Sequence, residues 1–314
     1  MSTFIGFAND SRIRNAATSG GIGTSLIKYM FEARLIKTAI SFNYCKMKIA
    51  YEPQIIDSFE EYMIAGSIYH EINLLDFIKK KYDEIISPFC CFALPCQVNA
   101  IKYILNKQNI SHYIFGLTCS SQLILEATYY LLKVKGIKHN DVERIKYRGD
   151  GWPGGINIQI KNGSTVHIPN LNSIWTKIFH SRLFTLDRCF KCNNTLNLDS
   201  DVSLADPWLK KYIGTEKNGL TLISCNTMKG EKIINLAVRD RIISVNEISL
   251  KIIKESQNRT IARKRAYKKH PKISNIIKVL SKNKYYRKII VSFRSLFKLH
   301  CFVIKYIEYI LIKI

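Results

Sequence analysis

Four cysteines, widely separated in a chain of 314 residues, have the residue type and spacing of a metal or iron–sulfur site. Cys189 and Cys192 form a Cys-x-x-Cys pair, typical of half a zinc site, half an iron–sulfur site or a redox dithiol. Cys96 and Cys119 each stand where a predicted strand gives way to a predicted helix. Since parallel strands bring such positions to one sheet edge, we predict that the four form a four-cysteine site for zinc or a 4Fe-4S cluster. The alternative is that two or more of them are simply small buried side chains.

Three segments rich in small residues are candidates for binding a ligand. Ser19-Gly20-Gly21 precedes a predicted helix, where glycines let an anion approach the backbone; the alternative is a tight turn capped by Thr18 or Ser19. Gly66-Ser67-Ile68-Tyr69 offers backbone amides and a phenol, although the segment taken alone favours an ordinary turn. In Arg148-Gly149-Asp150-Gly151-Trp152-Pro153-Gly154-Gly155, small or rigid residues surround one indole. This predicts that Arg148 and Trp152 are displayed to a flat, phosphate-bearing ligand, the alternative being a hairpin turn whose indole packs into the core.

The apolar pattern predicts the elements that position these residues. The runs Glu84–Ala93 and Tyr113–Leu117 are followed by helical patterns over Gln97–Asn106 and Ser121–Lys135, a βαβα unit whose strands should be parallel neighbours. Further strands are predicted at Phe4–Ala8, Thr38–Tyr44, Met47–Ile55 and Leu220–Cys225. We therefore predict an α/β fold: a mixed, partly parallel sheet flanked by helices, with a C-terminal basic helical extension.

Composition limits the class of protein. Hydrophobic residues make up 47% of the chain, enough for an ordinary core, which excludes collagen-like and low-complexity chains. No apolar run reaches the roughly 18 residues that span a bilayer. Because the first residues lack a signal-peptide pattern, we expect a cytoplasmic protein with reduced thiols. Neither a phosphate-binding P-loop nor an HExxH zinc motif occurs in the sequence.

The positive charge is concentrated at the C-terminal end. The chain carries 48 basic and 24 acidic residues, a net charge of +24. Residues 251–314 hold 18 of the basic and two of the acidic residues, a net +16. We therefore divide the chain into a cofactor-binding domain, residues 1–246, and a basic amphipathic helical tail, residues 247–314.

The tail pattern favours contact with a membrane surface. Arg294, Lys298, Lys305 and Glu308 form a narrow polar stripe on a helix otherwise covered by apolar and aromatic residues. Such a helix lies in a membrane interface, where neighbouring Lys and Arg attract anionic lipid, so we expect peripheral membrane association. The alternative is a terminal helix packed on the domain. Nucleic acid is a disfavoured partner, because no recognisable nucleic-acid-binding module precedes the tail.

In their order along residues 15–235, the motifs resemble the beta subunit family of coenzyme F420 hydrogenases and dehydrogenases. The family's R-G-x-G-W-P-G is complete in Arg148–Gly154, and its R-C-x-x-C is complete in Arg188–Cys192. The partly matching motifs are Ser19–Gly21, Gly66–Tyr69, Ala93–Gln97, Gly116–Ser120, Ser200–Trp208 and Asn218–Gly230. Three positions depart from the family pattern: Ile68 replaces Lys, and Ala93 and Ala205 replace Gly.

The resemblance implies cofactors and ligands, because family members bind FAD and a 4Fe-4S cluster. It assigns the cluster to Cys96, Cys119, Cys189 and Cys192. It assigns FAD contacts to Ser19, Gly20, Gly21, Ser67 and Tyr69, and a flavin-side or substrate-side role to Arg148, Gly151 and Trp152. Some members reduce or oxidise coenzyme F420, which makes F420 a candidate substrate, although the loss of Lys at position 68 weakens that expectation. The Cys-rich ferredoxin segment of some members is absent from this sequence, which implies a separate electron donor such as a ferredoxin.

Two functional hypotheses follow. The leading one is a flavin- and iron–sulfur-dependent oxidoreductase, with a role in polysaccharide synthesis as one expectation, since homologues occur among such proteins. The alternative is a non-catalytic homologue with a structural four-cysteine zinc site that binds a membrane or a partner. The departures at positions 68, 93 and 205 favour this alternative.

Overall fold

The computed structural model describes residues 1–313, and its central element is a sheet of eight strands. These strands are β1 (Thr3–Ala8), β2 (Thr38–Cys45), β3 (Ala50–Ile56), β4 (Phe89–Ala93), β5 (His112–Leu117), β9 (Val202–Ala205), β10 (Thr221–Cys225) and β11 (Ile243–Glu247). Their order across the sheet is β11-β1-β10-β9-β5-β4-β2-β3. A second, antiparallel sheet contains β6 (Val142–Lys146), β7 (Gly155–Ile160) and β8 (Thr165–Pro169).

The middle of the large sheet is parallel. β2, β4, β5 and β9 run in the same direction, with Phe89 of β4 beside His112 of β5. The remaining pairs are antiparallel, including the β2–β3 hairpin. The predicted α/β fold with a mixed, partly parallel sheet is therefore confirmed.

Helices cover both faces of the large sheet. The seven helices that precede the extension are α1 (Ser11–Ala16), α2 (Ile22–Glu32), α3 (Leu74–Lys80), α4 (Val98–Lys107), α5 (Glu126–Val134), α6 (Ile174–His180) and α7 (Met228–Arg239). Apolar residues of α2 and α7 pack on one face, and those of α3 and α4 on the other. Cys90 and Cys91 of β4 are both buried and point to opposite faces, because side chains alternate along a strand. They are therefore core residues.

One predicted helix begins later than its pattern indicates. The helical periodicity starts at Ser121, whereas α5 begins at Glu126. Leu123 instead forms short β-bridges with His70 and Thr185, so the residues before α5 are held in an extended conformation. The helix propensity of these residues is therefore outweighed by hydrogen bonds to distant parts of the chain.

The C-terminal extension is helical, as predicted, and it packs on the rest of the protein. Its helices are α8 (Leu250–Ser256), α9 (Asn258–Lys269), α10 (Pro271–Lys282), α11 (Lys284–Ser292) and α12 (Arg294–Lys313). Ile290 and Phe297 join the core formed by α5, α6 and the small sheet. Tyr267 and Ile304 pack with Phe190, next to the Cys-x-x-Cys pair.

A buried ion pair anchors α12. Glu308 accepts a hydrogen bond from Arg182 Nε at 2.7 Å and another from the Tyr267 hydroxyl at 2.6 Å. Burial opposes the charge of Glu308, but Arg182 outweighs this effect and holds the pKa of the carboxyl below its usual value. The predicted solvent-facing polar stripe is therefore wrong at Glu308, which points inward. Within residues 1–313, no helix has the length and apolar character needed to cross a bilayer.

Candidate functional site

A cavity of about 830 Å³ lies where the parallel strands β4, β5 and β9 end. Ala93, Leu117 and Ala205, the last residues of these strands, line it. This is the sheet edge at which α/β proteins bind ligands, and the volume is typical of pockets for small molecules, roughly 300–1,000 Å³. Residues 255–260, around the junction of α8 and α9, complete the wall. Residues of both predicted units, 1–246 and 247–314, therefore form the cavity wall.

The N-terminus of α2 opens onto the cavity. Gly21 is the N-cap, with a φ of 77° and no side-chain cap, so the predicted capping by Thr18 or Ser19 is wrong. The Ser19 hydroxyl donates instead to the carbonyl of Leu220, beside β10. Ser19 and Gly21 line the cavity, whereas Gly20 packs against Thr221 beneath it. The backbone N–H groups at the start of α2, without a side-chain cap, suit an anionic group.

Ser67 and Tyr69 also line the cavity. The Ser67 hydroxyl lies 3.3 Å from Thr18 Oγ1. The ring of Tyr69 packs edge-on against Trp175 and Phe179, at centroid distances of 5.6 and 5.4 Å. Burial raises the pKa of the Tyr69 hydroxyl, an effect that nearby Arg148 only partly opposes, so the phenol remains a hydrogen-bond donor.

The glycine-rich loop points its large side chains inward. Arg148 lines the cavity but is only 2% exposed, and it binds Asp206 through Nη1 at 2.7 Å and Nη2 at 3.3 Å. Trp152 is 4% exposed and donates from Nε1 to Asp206 at 3.0 Å. Neither Trp152 nor Gly151 lines the cavity. The expectation that Trp152 is displayed is therefore wrong, and the alternative of a buried indole holds; Arg148 reaches the cavity, but its guanidinium is bound to Asp206.

Contacts place Cys119, Cys189 and Cys192 in one region at the carboxyl edge of the sheet, and Cys96 follows the neighbouring strand β4. Burial raises the pKa of Cys119 to about 12, while Lys264 opposes this and the thiols of Cys189, Cys96 and Cys192 add to it. Cys119 lines the cavity, and Cys189 Sγ accepts a hydrogen bond from the backbone N–H of Gln122 at 3.4 Å. Gln122 lies three residues after Cys119, so this contact places the Cys189 thiol beside the segment that carries Cys119.

A lysine from the extension lies within this group of thiols. Lys264 Nζ donates to the carbonyls of Cys119 at 2.8 Å and Asn194 at 2.6 Å, and lies 3.5 Å from Cys192 Sγ. In residues 1–313, no group of three or more His, Cys, Asp or Glu side chains could hold a metal ion as positioned. Cys119 and Cys192 therefore lie on either side of one ammonium group, and the described residues do not form a site for a single metal ion; the four-cysteine ligand set stays a prediction.

Two charged or titratable residues of the cavity wall were not found from the sequence. His180 and Arg259 line the cavity on the side of α6 and α9. His180 Nδ1 is buried without a hydrogen-bond partner, and burial together with Arg182 and Arg259 lowers the pKa of the ring to about 3. Arg259 forms no salt bridge with the described residues. Neither residue stands in a motif, so only the folded structure reveals them.

The fold and the cavity define an α/β protein with a cofactor-sized pocket at the carboxyl edge of its parallel strands. Family models of "Coenzyme F420 hydrogenase/dehydrogenase, beta subunit" match residues 3–79 with the N-terminal part and residues 87–251 with the C-terminal part. The second match alone covers more than half of the chain. The chain belongs to this redox-enzyme family, and the resemblance drawn from the motifs is confirmed.

A solved structure has the same fold. A chain of the F420-reducing [NiFe] hydrogenase complex from Methanosarcina barkeri, studied by xenon derivatisation, matches with a TM-score of 0.63 and 16% sequence identity. The match covers 83% of this chain and 88% of that chain. No curated protein matches this sequence. Residues 252–314 lie outside both family models, so Arg259 and Lys264 are contributed by a part of the chain that those models do not describe.

Proposed function

We propose that this protein is a flavin- and iron–sulfur-dependent oxidoreductase that moves electrons between a 4Fe-4S cluster, FAD and an organic substrate. One observation carries the proposal: a single cavity joins the N-terminus of α2 to the strand end at Cys119. This arrangement offers a site for a phosphate-bearing cofactor at one end and thiols at the other. Such a pairing suits electron transfer over a short distance.

The cavity fits FAD in size and in the chemistry of its wall. Gly21 and the first turn of α2 would bind the pyrophosphate, while Ser67 and Tyr69 would donate hydrogen bonds to the cofactor. Arg148 would act indirectly, by holding Asp206 and lying beside Tyr69. Trp175 and Phe179 would exclude water from the ring system. FAD, when bound, supplies the exchange of a hydride for single electrons, and the protein supplies placement and electrostatics.

The chemistry of the donor set suits a cluster. Four cysteine thiolates are the ligand set of a 4Fe-4S cluster, in which each cysteine binds a different iron. A structural zinc site uses the same four thiolates, so the metal content of the reconstituted protein distinguishes the two. Cys96, Cys119, Cys189 and Cys192 would be the ligands. The nearby Lys264 ammonium would balance the negative charge of a thiolate-bound cluster.

The substrate would enter beside α9. Arg259 supplies a cation and His180 an unpartnered ring nitrogen, two groups that suit an anionic or carbonyl-bearing molecule. Coenzyme F420, or another organic hydride acceptor, has this character. A separate protein such as a ferredoxin would supply the electrons, and the structural neighbour likewise belongs to a multi-subunit complex. A cytoplasmic location and a role in polysaccharide synthesis stay predictions.

The test is cofactor analysis of the full chain after anaerobic reconstitution with iron, sulfide and FAD. We expect broad visible absorption, about four iron atoms per chain and releasable FAD. The variant C119S should lose most of the iron. The matched control C45S, which replaces a cysteine at the end of β2 that lies outside the predicted ligand set, should retain it.

Two results would overturn the proposal. Colourless protein that takes up one zinc ion per chain would favour the structural zinc alternative. Iron that is retained equally by C119S and the wild type would separate the cluster from the predicted ligands. Loss of FAD alone, with the iron intact, would contradict only the assignment of the cavity.

A further inference from the structure

The last helix presents apolar side chains on two opposite faces. Its inner face, which includes Phe297, Ile304 and Leu311, is buried against the protein. Its outer face carries Leu299, Phe302, Val303, Tyr306, Tyr309 and Ile310, all exposed. These positions recur at intervals of three and four residues, so they form one continuous stripe along α12. Phe302 and Tyr306, one helical turn apart, are 67% and 57% exposed, an unusually high exposure for neighbouring aromatic side chains.

One flank of this outer face is basic. Lys298 and Lys305 are exposed beside the stripe and form no salt bridge with the described residues. Residues 271–313 contain ten Lys and Arg but one acid, Glu308, which is buried against Arg182. Carboxylates from elsewhere in the protein pair with Lys282 and Arg287 of this segment, but no carboxylate of the described residues pairs with the cations beside the stripe. The face combines aromatic and aliphatic side chains with an unbalanced positive charge.

We propose that the outer face of α12 docks this protein on the surface of an anionic lipid bilayer. Lipid acyl chains would cover the aromatic stripe, and lipid phosphates and carboxylates would pair with the flanking cations. The charge makes a second copy of this chain a poor occupant, because a symmetric contact would bring Lys298 and Lys305 towards like charges. A membrane-spanning arrangement does not fit either, because α12 carries five charged residues and fails the requirements for a span.

The buried Arg182–Glu308 pair that anchors α12 also favours docking, because it fixes the orientation of the helix. The Arg182–Glu308 pair and the buried apolar face fix α12 on the protein, so the outer face is held ready without folding on contact. A preformed surface loses less entropy on binding than a disordered segment does. This proposal does not depend on the proposed redox function, since the face carries none of the cavity or cysteine residues.

The experiment is sedimentation of the full-length protein with two kinds of vesicle, phosphatidylcholine alone and phosphatidylcholine mixed with phosphatidylserine. We expect binding to the mixed vesicles, weakened by salt. K298Q/K305Q should lower the partition coefficient about 25-fold, since each cation near an anionic surface contributes about fivefold. F302S/Y306S should lower it by roughly tenfold or more, because it removes apolar burial.

The matched control is Y103S/K107Q, which alters an exposed tyrosine and an exposed lysine on α4. It should bind the mixed vesicles like the wild type, and circular dichroism should show that all variants are folded. The proposal is overturned if the wild type binds neither vesicle, or if F302S/Y306S binds as well as the control. A dimer in solution that F302S/Y306S dissociates, without vesicle binding, would assign the face to a second copy. Absence of both vesicle binding and dimerisation would leave a protein partner as the occupant and refute the lipid.

Discussion

At the scale of single residues, a motif residue can serve the architecture of a site instead of its ligand. Arg148 and Trp152 stand in the most complete motif of the sequence, yet both side chains are buried around Asp206. The indole of Trp152 also lies 5.2 Å from that of Trp208. The loop therefore fixes the cavity wall near Tyr69, and its sequence pattern reflects that internal network as much as any direct contact.

Lys264 is the residue whose chemistry is most directly testable. It places an ammonium group 3.5 Å from Cys192 Sγ, within the predicted cluster site. We predict that K264Q lowers the midpoint potential of the reconstituted protein by roughly 60 mV, equivalent to about 1.4 kcal/mol, because a nearby cation favours the more negative, reduced state. Glutamine keeps an N–H donor for the two carbonyls and removes only the charge. The measurement is a redox titration followed by visible and electron paramagnetic resonance spectra.

The control for this prediction is K268Q, one helical turn further along α9. Lys268 is exposed, so its replacement should leave the potential unchanged. Equal shifts in K264Q and K268Q would show that only the general charge of the extension matters. An unchanged potential in K264Q would separate Lys264 from the redox centre.

At the scale of elements, the sequence was most informative where a pattern is repeated. The two apolar runs followed by helical patterns predicted α4, β5 and the second half of the run Glu84–Ala93, which forms β4, because a short apolar run before a helical pattern is typical of a buried parallel strand. The sequence was misleading where a residue forms a hydrogen bond with a part of the chain far away instead of with its local helix. Leu123 pairs with His70 and Thr185 instead of starting a helix, and Ser19 bonds to Leu220 instead of capping one. Such partners lie far away in the chain, so no local pattern reveals them.

The loop between β3 and α3 provides a prediction at this scale. Gly66 lines the cavity with a φ of 71°, and a Cβ atom there would collide with the carbonyl oxygen of Arg148. We predict that G66A destabilises the protein by about 3 kcal/mol, since it combines backbone strain with a clash against a fixed wall. Urea unfolding gives the free energy, and the FAD content of the same preparation should fall with it.

Gly163 supplies the matched control, because it has a φ of 87° but no atom within 4 Å of the added Cβ. G163A therefore reports backbone strain alone, about 1 kcal/mol. Equal losses in the two variants would mean that the loop at Gly66 moves freely away from Arg148. The cavity wall would then be less rigid than the structure indicates.

At the scale of the whole molecule, the extension completes the protein. The sequence revealed its charge and its helices, since both follow from composition and periodicity. It did not reveal that Glu308 points inward, because the buried Arg182 that it binds lies 126 positions away. Of the predicted polar stripe, Glu308 is buried as part of the anchor, whereas Arg294, Lys298 and Lys305 are exposed. What α12 exposes therefore combines apolar side chains with cations, and what it buries includes its one carboxylate.

Buried histidines give the whole molecule a predictable response to acid. Burial lowers the pKa values of His70, His112, His180 and His300 below the ordinary 6.5, so these rings bind a proton less readily in the folded protein than in the unfolded chain. Below pH 6.5 the unfolded chain binds protons that the folded state does not, and stability must fall as the pH falls. Each such histidine contributes up to about 1.4 kcal/mol per pH unit. Glu308, whose pKa lies below 4.5, loses its stabilising charge only in stronger acid and does not affect this window.

We therefore predict that the free energy of unfolding decreases steadily between pH 6.5 and pH 5, and that H180Q flattens this slope. The expected flattening is about 1 kcal/mol per pH unit, because the pKa of His180 is lowered to about 3 and its ring stays neutral through the window. Urea unfolding at a series of pH values measures the slope directly. H139Q, which alters an exposed histidine, should leave the slope as it is in the wild type. A slope in H180Q equal to that of the wild type would mean that His180 gains a proton in the folded state, and hence that its unpartnered nitrogen is reached by water through the cavity.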